Sequence, residues 1–334
     1  MNILLTSVGR RSYLVKYFRE ALKGNGLIHA ANSIETYAMQ LADKSVVTPL
    51  IYDENYIDFI LDYSLENNIR AIISLFDIDL PILAKNKKRF EASGIQVIVS
   101  DYEITKICND KWFTYQFFVD NGFNTSSTFL SVKEAVKAID NKEIQYPLII
   151  KPRWGMGSIG IYEADNQDEL EIFYKKTQKK ITESYLKYES QNAIDKCIII
   201  QEKLRGEEYG LDIFNDFKGN LLSCVPKRKI AMRAGETDGA EIIDSPTLKE
   251  LGEKISDKTN HIGNLDLDCF FKDNKFYFLE MNCRFGGQYP FSHLAGVNFP
   301  LAIIQMLSGQ APDPKILKAK PGIIGIKDIV PVKL

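Results

Sequence analysis

The sequence predicts an α/β unit of parallel strands followed by an α+β region built on antiparallel sheet, and three observations predict it. Over residues 1–100 short apolar runs alternate with segments of helical periodicity, the pattern of parallel strands joined by right-handed helical crossovers. From Ile198 onward strand-like runs follow one another with few helical segments between them. At 334 residues, 45% hydrophobic and 11% aromatic, the chain has material for two or three cores.

Taken in order, Ile3-Leu4-Leu5 reads as a buried strand and Val8-Gly9-Arg10-Arg11 as the turn after it. Leu14, Phe18, Ala21 and Leu22 fall at i, i+4, i+7 and i+8 on one face of a helix that stops near Gly24 and Gly26. Residues 27–31 form a second strand. Ile57, Ile60, Leu61, Ser64 and Leu65 mark another helical face, followed by a strand at 71–75, a helix at 80–90 and a strand at 95–99. Together these make a Rossmann-like unit over 1–100. The texture then changes. Trp112, Phe113, Phe117 and Phe118 share a helix, and 132–139 is a shorter one; 146–150 is an apolar strand, and a charged helix spans 168–188. Strands are expected at 198–201, 209–214, 221–225, 265–271 and 276–282, with helices at 248–260 and 300–307. The division is 1–100, 101–197 and 198–334, and the apolar run 321–332 is expected as a closing strand or docking segment.

Charge and cysteine usage exclude several classes. The 42 Lys+Arg nearly balance 44 Asp+Glu, which argues against a nucleic-acid or membrane-surface partner. No apolar run approaches the ~20 residues that span a bilayer, and the N-terminus lacks a secretory pattern, so a cytoplasmic protein is expected. The five cysteines are scattered without a C-x-x-C pair, as expected of buried thiols in a reducing compartment. His29, His261 and His293 stand apart from one another; for His293 a structural hydrogen bond is expected ahead of a substrate contact.

The stretch from Lys151 to Gly160 is rich in glycine, with its lysine ahead of the glycines and no G-K-[ST] closure, so it is not a Walker A loop. Glycines admit backbone N–H groups to an anion and a lysine at a strand end adds charge; a plain glycine turn is the competing reading. Glu280 and Asn282 lie i, i+2 on one strand face, and Asp268 sits across the Asp273-Asn274 turn. A two-residue loop pairs Leu267 with Glu280, whereas a three-residue loop pairs Asp268 with Glu280 and gathers three oxygen ligands suited to Mg²⁺ carried by nucleotide phosphates. Otherwise Asp268 ends a strand and Glu280 pairs with Arg284. In the first unit no G-x-G-x-x-G occurs. Arg10 and Arg11 read equally as an anion site at a helix start and as exposed turn residues. Asp77 and Asp79 read either as ligand-facing groups at a strand's carboxyl end or as a helix cap and first-turn acid.

The ordered set of segments over about 100–310 resembles the ATP-grasp superfamily, and within it the carbamoyl-phosphate-synthase-like ligases. Asn109-Asp110-Lys111-Trp112 resembles the first nucleotide lysine at a helix start. Lys151-Pro152 with Gly155-Met156-Gly157-Ser158 is similar to the second basic residue and glycine lid. The run Gln201 to Tyr209 resembles the hinge and ribose segment, and Glu280-Met281-Asn282-Cys283-Arg284 the E-x-N-x-R motif. The resemblance implies ATP phosphates on Lys111 and Lys151 under a lid of Gly155, Gly157 and Ser158. It implies adenine on Glu202 and Leu204, ribose on Glu208, and Mg²⁺ (or Mn²⁺) on Asp268, Glu280 and Asn282. Arg284 is implied to face the transferred phosphoryl group. A basic loop after Val225 is similar to one near the acyl phosphate in the synthase-like branch. On a strand Lys227 and Lys229 share one face and Arg228 takes the other; Arg228 and Arg233 are the residues the resemblance favours, and a solvated strand end is the alternative.

What the resemblance implies is a ligase that activates a carboxylate as an acyl phosphate for attack by an amine, with small-molecule partners and a homodimer left open. A phosphotransferase and a nucleotide-binding regulatory module are the alternatives. The chain has one synthase-like half rather than two, and after Arg284 it runs Phe285-Gly286-Gly287-Gln288 with no second arginine where the synthase has one, so carbamoyl phosphate synthesis is not expected. Ser7, Arg10, Arg11, Asp77 and Asp79 are the residues expected to face the substrate.

Overall fold

The computed structural model describes residues 1–155 and 158–333. The first unit is a five-stranded parallel sheet in the order Lys44–Val47, Ile28–Asn32, Asn2–Thr6, Ile69–Ser74, Gln96–Val97. Its central strand explains the unbroken apolar run at the N-terminus. Ile3 and Leu5 pack with Leu14, Val15 and Phe18 of the helix Ser12–Leu22. Leu4 packs with Ile57, Ile60 and Leu61 of Tyr56–Glu66 and with Leu80 and Leu83 of Asp79–Ala92. Both faces are covered, as parallel sheets require. Leu65, expected on the buried face, is instead 50% exposed. The edge strand Lys44–Val47 and the short helix Tyr37–Gln40 escape the sequence pattern; the strand is largely exposed and so lacks an apolar signature.

A four-stranded antiparallel sheet follows, in the order Thr128–Phe129, Ile198–Glu202, Leu148–Pro152, Tyr162–Ala164. Ile198–Glu202 therefore belongs to this sheet although it lies past the boundary drawn at 197 from sequence. The expected helix at 168–188 stops at Thr182 and gives way to Lys187–Ser190 and a 3-10 turn, Gln191–Lys196. At the break the Ser184 side chain accepts from Leu186 N–H, a local bond that competes with the helical ladder.

The third sheet has six antiparallel strands: Lys275–Asn282, Gly263–Lys272, Glu207–Asn215, Leu221–Arg233, Glu236–Ile242 and Ile324–Ile326. Leu221–Arg233 runs eight residues past the expected end, because Pro226, which reads as a breaker, is accommodated opposite Leu211. Ile324–Ile326 closes the sheet against Glu236–Ile242, giving the C-terminal apolar run a ladder partner. Phe214 stacks on Phe299 with ring centroids 4.2 Å apart. Beneath this sheet Lys227 and Asp212, both fully buried, pair at 2.6 Å, and Ser292 and Asn264 donate to the same carboxylate. Among the described residues no helix is long and apolar enough to cross a membrane.

His261 is sealed in the same region, between the Ile213 carbonyl at 3.1 Å and the Thr259 hydroxyl at 2.8 Å. Burial pushes it down from 6.5 to about 4. The unfolded chain therefore binds a proton that the folded chain refuses between those values. Its contribution is intact above pH 6.5 and is lost as the pH falls toward 4, on the order of 3 kcal/mol. In urea titrations from pH 4.5 to 7, His261→Asn should show a flatter pH dependence than the wild type; parallel curves would exclude His261 as the source.

Candidate active site

The cleft is organised by one irregularity. Asp273 and Asn274, with φ of 50° and 59°, form a two-residue turn that pairs Lys272 with Lys275. By simple alternation this turn would set Leu267 opposite Glu280. Instead the ladder slips between Asp268 and Cys269, so that Cys269 faces Phe278, Asp268 faces Glu280 and Asp266 faces Asn282. The extra residue, Leu279, is a β-bulge. It also reverses the alternation. Phe278 and Met281 both enter the core, while Glu280 and Asn282 line the cleft. The pairing expected only of a three-residue loop is reached with a two-residue one.

Around these groups lies a cleft of about 560 Å³ between the three sheets. Lys111, Lys151, Gly155, Ser158, Asp268, Glu280, Asn282 and Arg284 all line it. Lys111 opens the helix Lys111–Asp120, whose cap Asp110 accepts from Trp112 N–H at 3.0 Å. Arg153 reaches the same carboxylate with two bonds of 2.7 Å, tying that helix start to the strand carrying Lys151. The Lys111 ammonium donates to the Gly155 carbonyl. Burial, with Lys111 adding to it, brings Lys151 down to about 8 against the pull of Glu280. Glu280 is half-buried, and against the desolvation that would raise it Lys111, Lys151, Lys229 and Arg284 together hold it below the usual carboxylate range. Asp268 is pushed up to about 6 by burial and by Asp266 and Glu280, against the stabilising charge of Lys229.

Several residues are not where the sequence put them. Arg228 is exposed and pairs with Glu241 at 2.7 Å, and Arg233 bonds Asp238; neither lines the cleft. Strand alternation brings in Lys229, which sits 2.7 Å from Asp268 and 3.8 Å from Glu208. Glu202 and Leu204 lie at the end of Ile198–Glu202, outside the cleft lining, with the Glu202 N–H on Ser127 at 3.1 Å. Glu208 lines a smaller adjoining hollow with Gly206 and Met232. Gly157 lies outside the described residues. Ser158 touches the turn at Gly235, where an added Cβ would stand 2.1 Å from its hydroxyl, so the glycine segment meets the 234–235 hairpin tip. His293 is stacked on Tyr17 and stays outside the cleft lining.

Sequence reasoning passed over Asp266 and Arg153 and took Gln288 only as part of a departure from the synthase pattern. Asp266 lies i, i+2 from Asp268 on the same face, the one signal available; it accepts from Arg284 at 3.2 Å and from Gln288 at 2.5 Å. The first unit contributes the carboxyl ends of its strands: Ser7, Gly9, Arg10, Arg11, Asn32 and Asp77 line the cleft. The two aspartates part company. Asp77 pairs with Arg284 at 2.8 Å. Asp79 is fully buried, takes donors from Thr6, Ser7, Ser74 and Tyr56, and burial raises its pKa. Among the described residues no three His, Cys, Asp or Glu side chains converge as a metal group; the candidate set is two carboxylates and an amide.

Two antiparallel sheets closing on a cleft behind a parallel α/β unit define the ATP-grasp architecture, and the solved structures agree. The fold matches a biotin carboxylase from Campylobacter jejuni with a TM-score of 0.73 at 19% identity, covering 95% of this chain and 73% of that one. It matches an L-amino acid ligase from Bacillus licheniformis at 0.69 and 20%, covering 96% and 77%. Family models match in three pieces: a PylC-like N-terminal domain at 3–98, a TupA-like ATP-grasp at 99–218 and an ATP-grasp of a biosynthetic pathway with the Ter operon at 195–325. Two of these three are ATP-grasp models, and together they span 99–325. A D-alanine–D-alanine ligase from Thermotoga sp. (strain RQ2) is 28% identical over 205 residues, 57% of this chain and 61% of that ligase's length.

The Asp110–Arg153 pair is the buried joint beneath Lys111 and Lys151. Arg153→Met would leave Asp110 charged and unpaired, and a loss of about 3–5 kcal/mol is expected in urea unfolding. A change below about 1 kcal/mol would mean that the pair is dispensable.

Proposed function

We propose that this protein is an ATP-dependent carboxylate–amine ligase. The observation that carries the reading is the bulge-made face of Asp268, Glu280 and Asn282 set among Lys111, Lys151, Lys229 and Arg284 in one cleft. Lys229 and Arg284 are already paired with carboxylates, while Lys111 and Lys151 have no ion-pair partner within 4 Å among the described residues, an arrangement suited to a polyphosphate. Two carboxylates and an amide fit a hard cation that shares its coordination with phosphate oxygens, so Asp268, Glu280 and Asn282 are the groups proposed to hold Mg²⁺. When bound, the ion neutralises phosphate charge.

On this reading Lys111, Lys151 and Lys229 neutralise the ATP phosphates, with the segment bearing Gly155 and Ser158 over them. Glu202 and Leu204 are proposed at the adenine and Glu208 at the ribose. The substrate carboxylate attacks the γ-phosphorus; the bond to the β-phosphate oxygen breaks and ADP leaves. The amine nitrogen, deprotonated to its free base, then attacks the acyl carbon, the C–O bond to phosphate breaks, inorganic phosphate departs and the nitrogen's proton passes to solvent. The protein's part is positioning, charge neutralisation and exclusion of water. The ligase named among the similar proteins supports this class of chemistry.

The reading is tested by product analysis. ADP release should depend on a carboxylic acid and an amine together; a stable phosphorylated product from a single co-substrate would replace the ligase by a phosphotransferase. Glu280→Gln should lower turnover by at least about 100-fold, given the usual 2.7 kcal/mol or more for a lost charge-stabilising group, while thermal melting stays near wild type. Near-wild-type ADP formation would refute the metal assignment.

A further inference from the structure

We propose that Asp77 selects the acceptor: its Oδ1 receives the protonated amino group of a cationic amine while its Oδ2 stays on Arg284. The inference rests on the ligase reading and names a residue and a charge class within it.

Asp77 stands in the loop after Ile69–Ser74, at the carboxyl end of its strand, and lines the cleft. Its side chain is 9% exposed. The two oxygens are used unequally. Oδ2 accepts from both Nε and Nη2 of Arg284, at 3.1 and 2.8 Å. Oδ1 is buried and accepts from nothing among the described residues. A buried carboxylate oxygen without a donor is unfavourable, and it is relieved by a ligand that brings N–H groups.

The surrounding charges decide the ligand's sign. The Arg284 guanidinium is shared between Asp77 and Asp266, which takes Nη1 at 3.2 Å, and the Phe285 carbonyl takes Nη1 at 3.3 Å. Four of its five donors are thereby engaged, leaving one Nη2–H. Two carboxylates thus lean on one cation. Glu236, also in the cleft lining, has its own partner in Lys327 at 3.6 Å. A second carboxylate or a phosphate at Oδ1 would meet like charge; an ammonium would complete the set. Because Asp77 grips Arg284, an ammonium held at Oδ1 lies beside the arginine that the resemblance sets at the transferred phosphoryl group, and it gives one proton to solvent before its nitrogen attacks.

The test separates donor activation from acceptor capture. Wild-type protein is given ATP, Mg²⁺ and a panel of small carboxylic and amino acids with hydroxylamine, an uncharged nucleophile that traps any acyl phosphate as a hydroxamate. Active donors are then paired with ammonium chloride and the L-amino acids, and amide product is measured by mass spectrometry. For Asp77→Asn, kcat/KM for the amine should fall about 10- to 100-fold further than hydroxamate formation, with the loss in KM for the amine. Asp77→Glu, which keeps the charge, should recover part of that difference, and thermal melting identifies any variant that fails to fold. Equal losses in both reactions would show Asp77 acting only through Arg284 and overturn the assignment, as would an unchanged amine KM. Absence of hydroxamate and amide from every donor in the wild type would instead remove the ligase reading, and the acceptor assignment with it.

Discussion

A carboxylate taken out of water must meet a cation or give up its charge, and in this protein the cations come from other parts of the chain. Asp110 on one helix start meets Arg153 of the four-stranded sheet. Asp268 of the six-stranded sheet meets Lys229 two strands away, and Asp77 of the parallel unit meets Arg284, 207 residues later. Glu280 keeps its charge through Lys111 and Lys151, which arrive from the middle segment. Apart from Asp268 and Lys229, which share a sheet, each pair joins different elements of the fold. The cleft is therefore held in register by the same charges that give it its chemistry, and displacing one sheet would strand ions on two.

That dependence explains how far the sequence could be read. The parallel unit was legible because its strands are apolar on both sides and its helices carry an apolar stripe; Leu4, Phe18 and Ile60 all lie in the core that periodicity assigns them. The order of motifs along the chain pointed to the superfamily. Lys111, Lys151, Glu280, Asn282 and Arg284 meet in one cleft. What could not be read depended on register across strands. Lys229 and Arg228 differ by one position, and only the pairing of Leu221–Arg233 with its neighbours decides which enters the cleft. Resemblance favoured the arginines; alternation alone left either face open, and the pairing brings in Lys229.

The bulge at Leu279 shows why local rules failed at the point of greatest consequence. The turn's place was readable but its length was left open: Asp273 and Asn274 both tolerate positive φ, and the loop has two residues. A regular ladder from that turn would carry Glu280 opposite Leu267 and put aromatic and acidic residues on one face. Phe276, Phe278, Glu280 and Asn282 cannot share a face without burying acids in the core or exposing rings to the cleft. One inserted residue resolves the conflict. The strain of the irregular ladder is accepted because it sorts apolar from charged side chains, which is worth more than one regular pair of backbone bonds.

Asp77 and Asp79 carry the same argument into the parallel unit. They leave one strand end two residues apart, yet one joins the cleft and the other is enclosed by four hydroxyl groups. The donors come from Thr6, Ser7, Ser74 and Tyr56, so Asp79 ties together the central strand, its neighbour and a covering helix, and fixes the loop on which Asp77 stands. Rigidity beneath and charge above are separate tasks given to two chemically identical side chains. The proposed nucleotide end of the cleft draws on residues from 111 onward, whereas Ser7, Arg10, Arg11, Asn32 and Asp77 all belong to the parallel unit. Differences in substrate choice among proteins of this architecture are thus expected to lie in the short loops at these strand ends, where residues can change without disturbing the charge pairs that hold the sheets together.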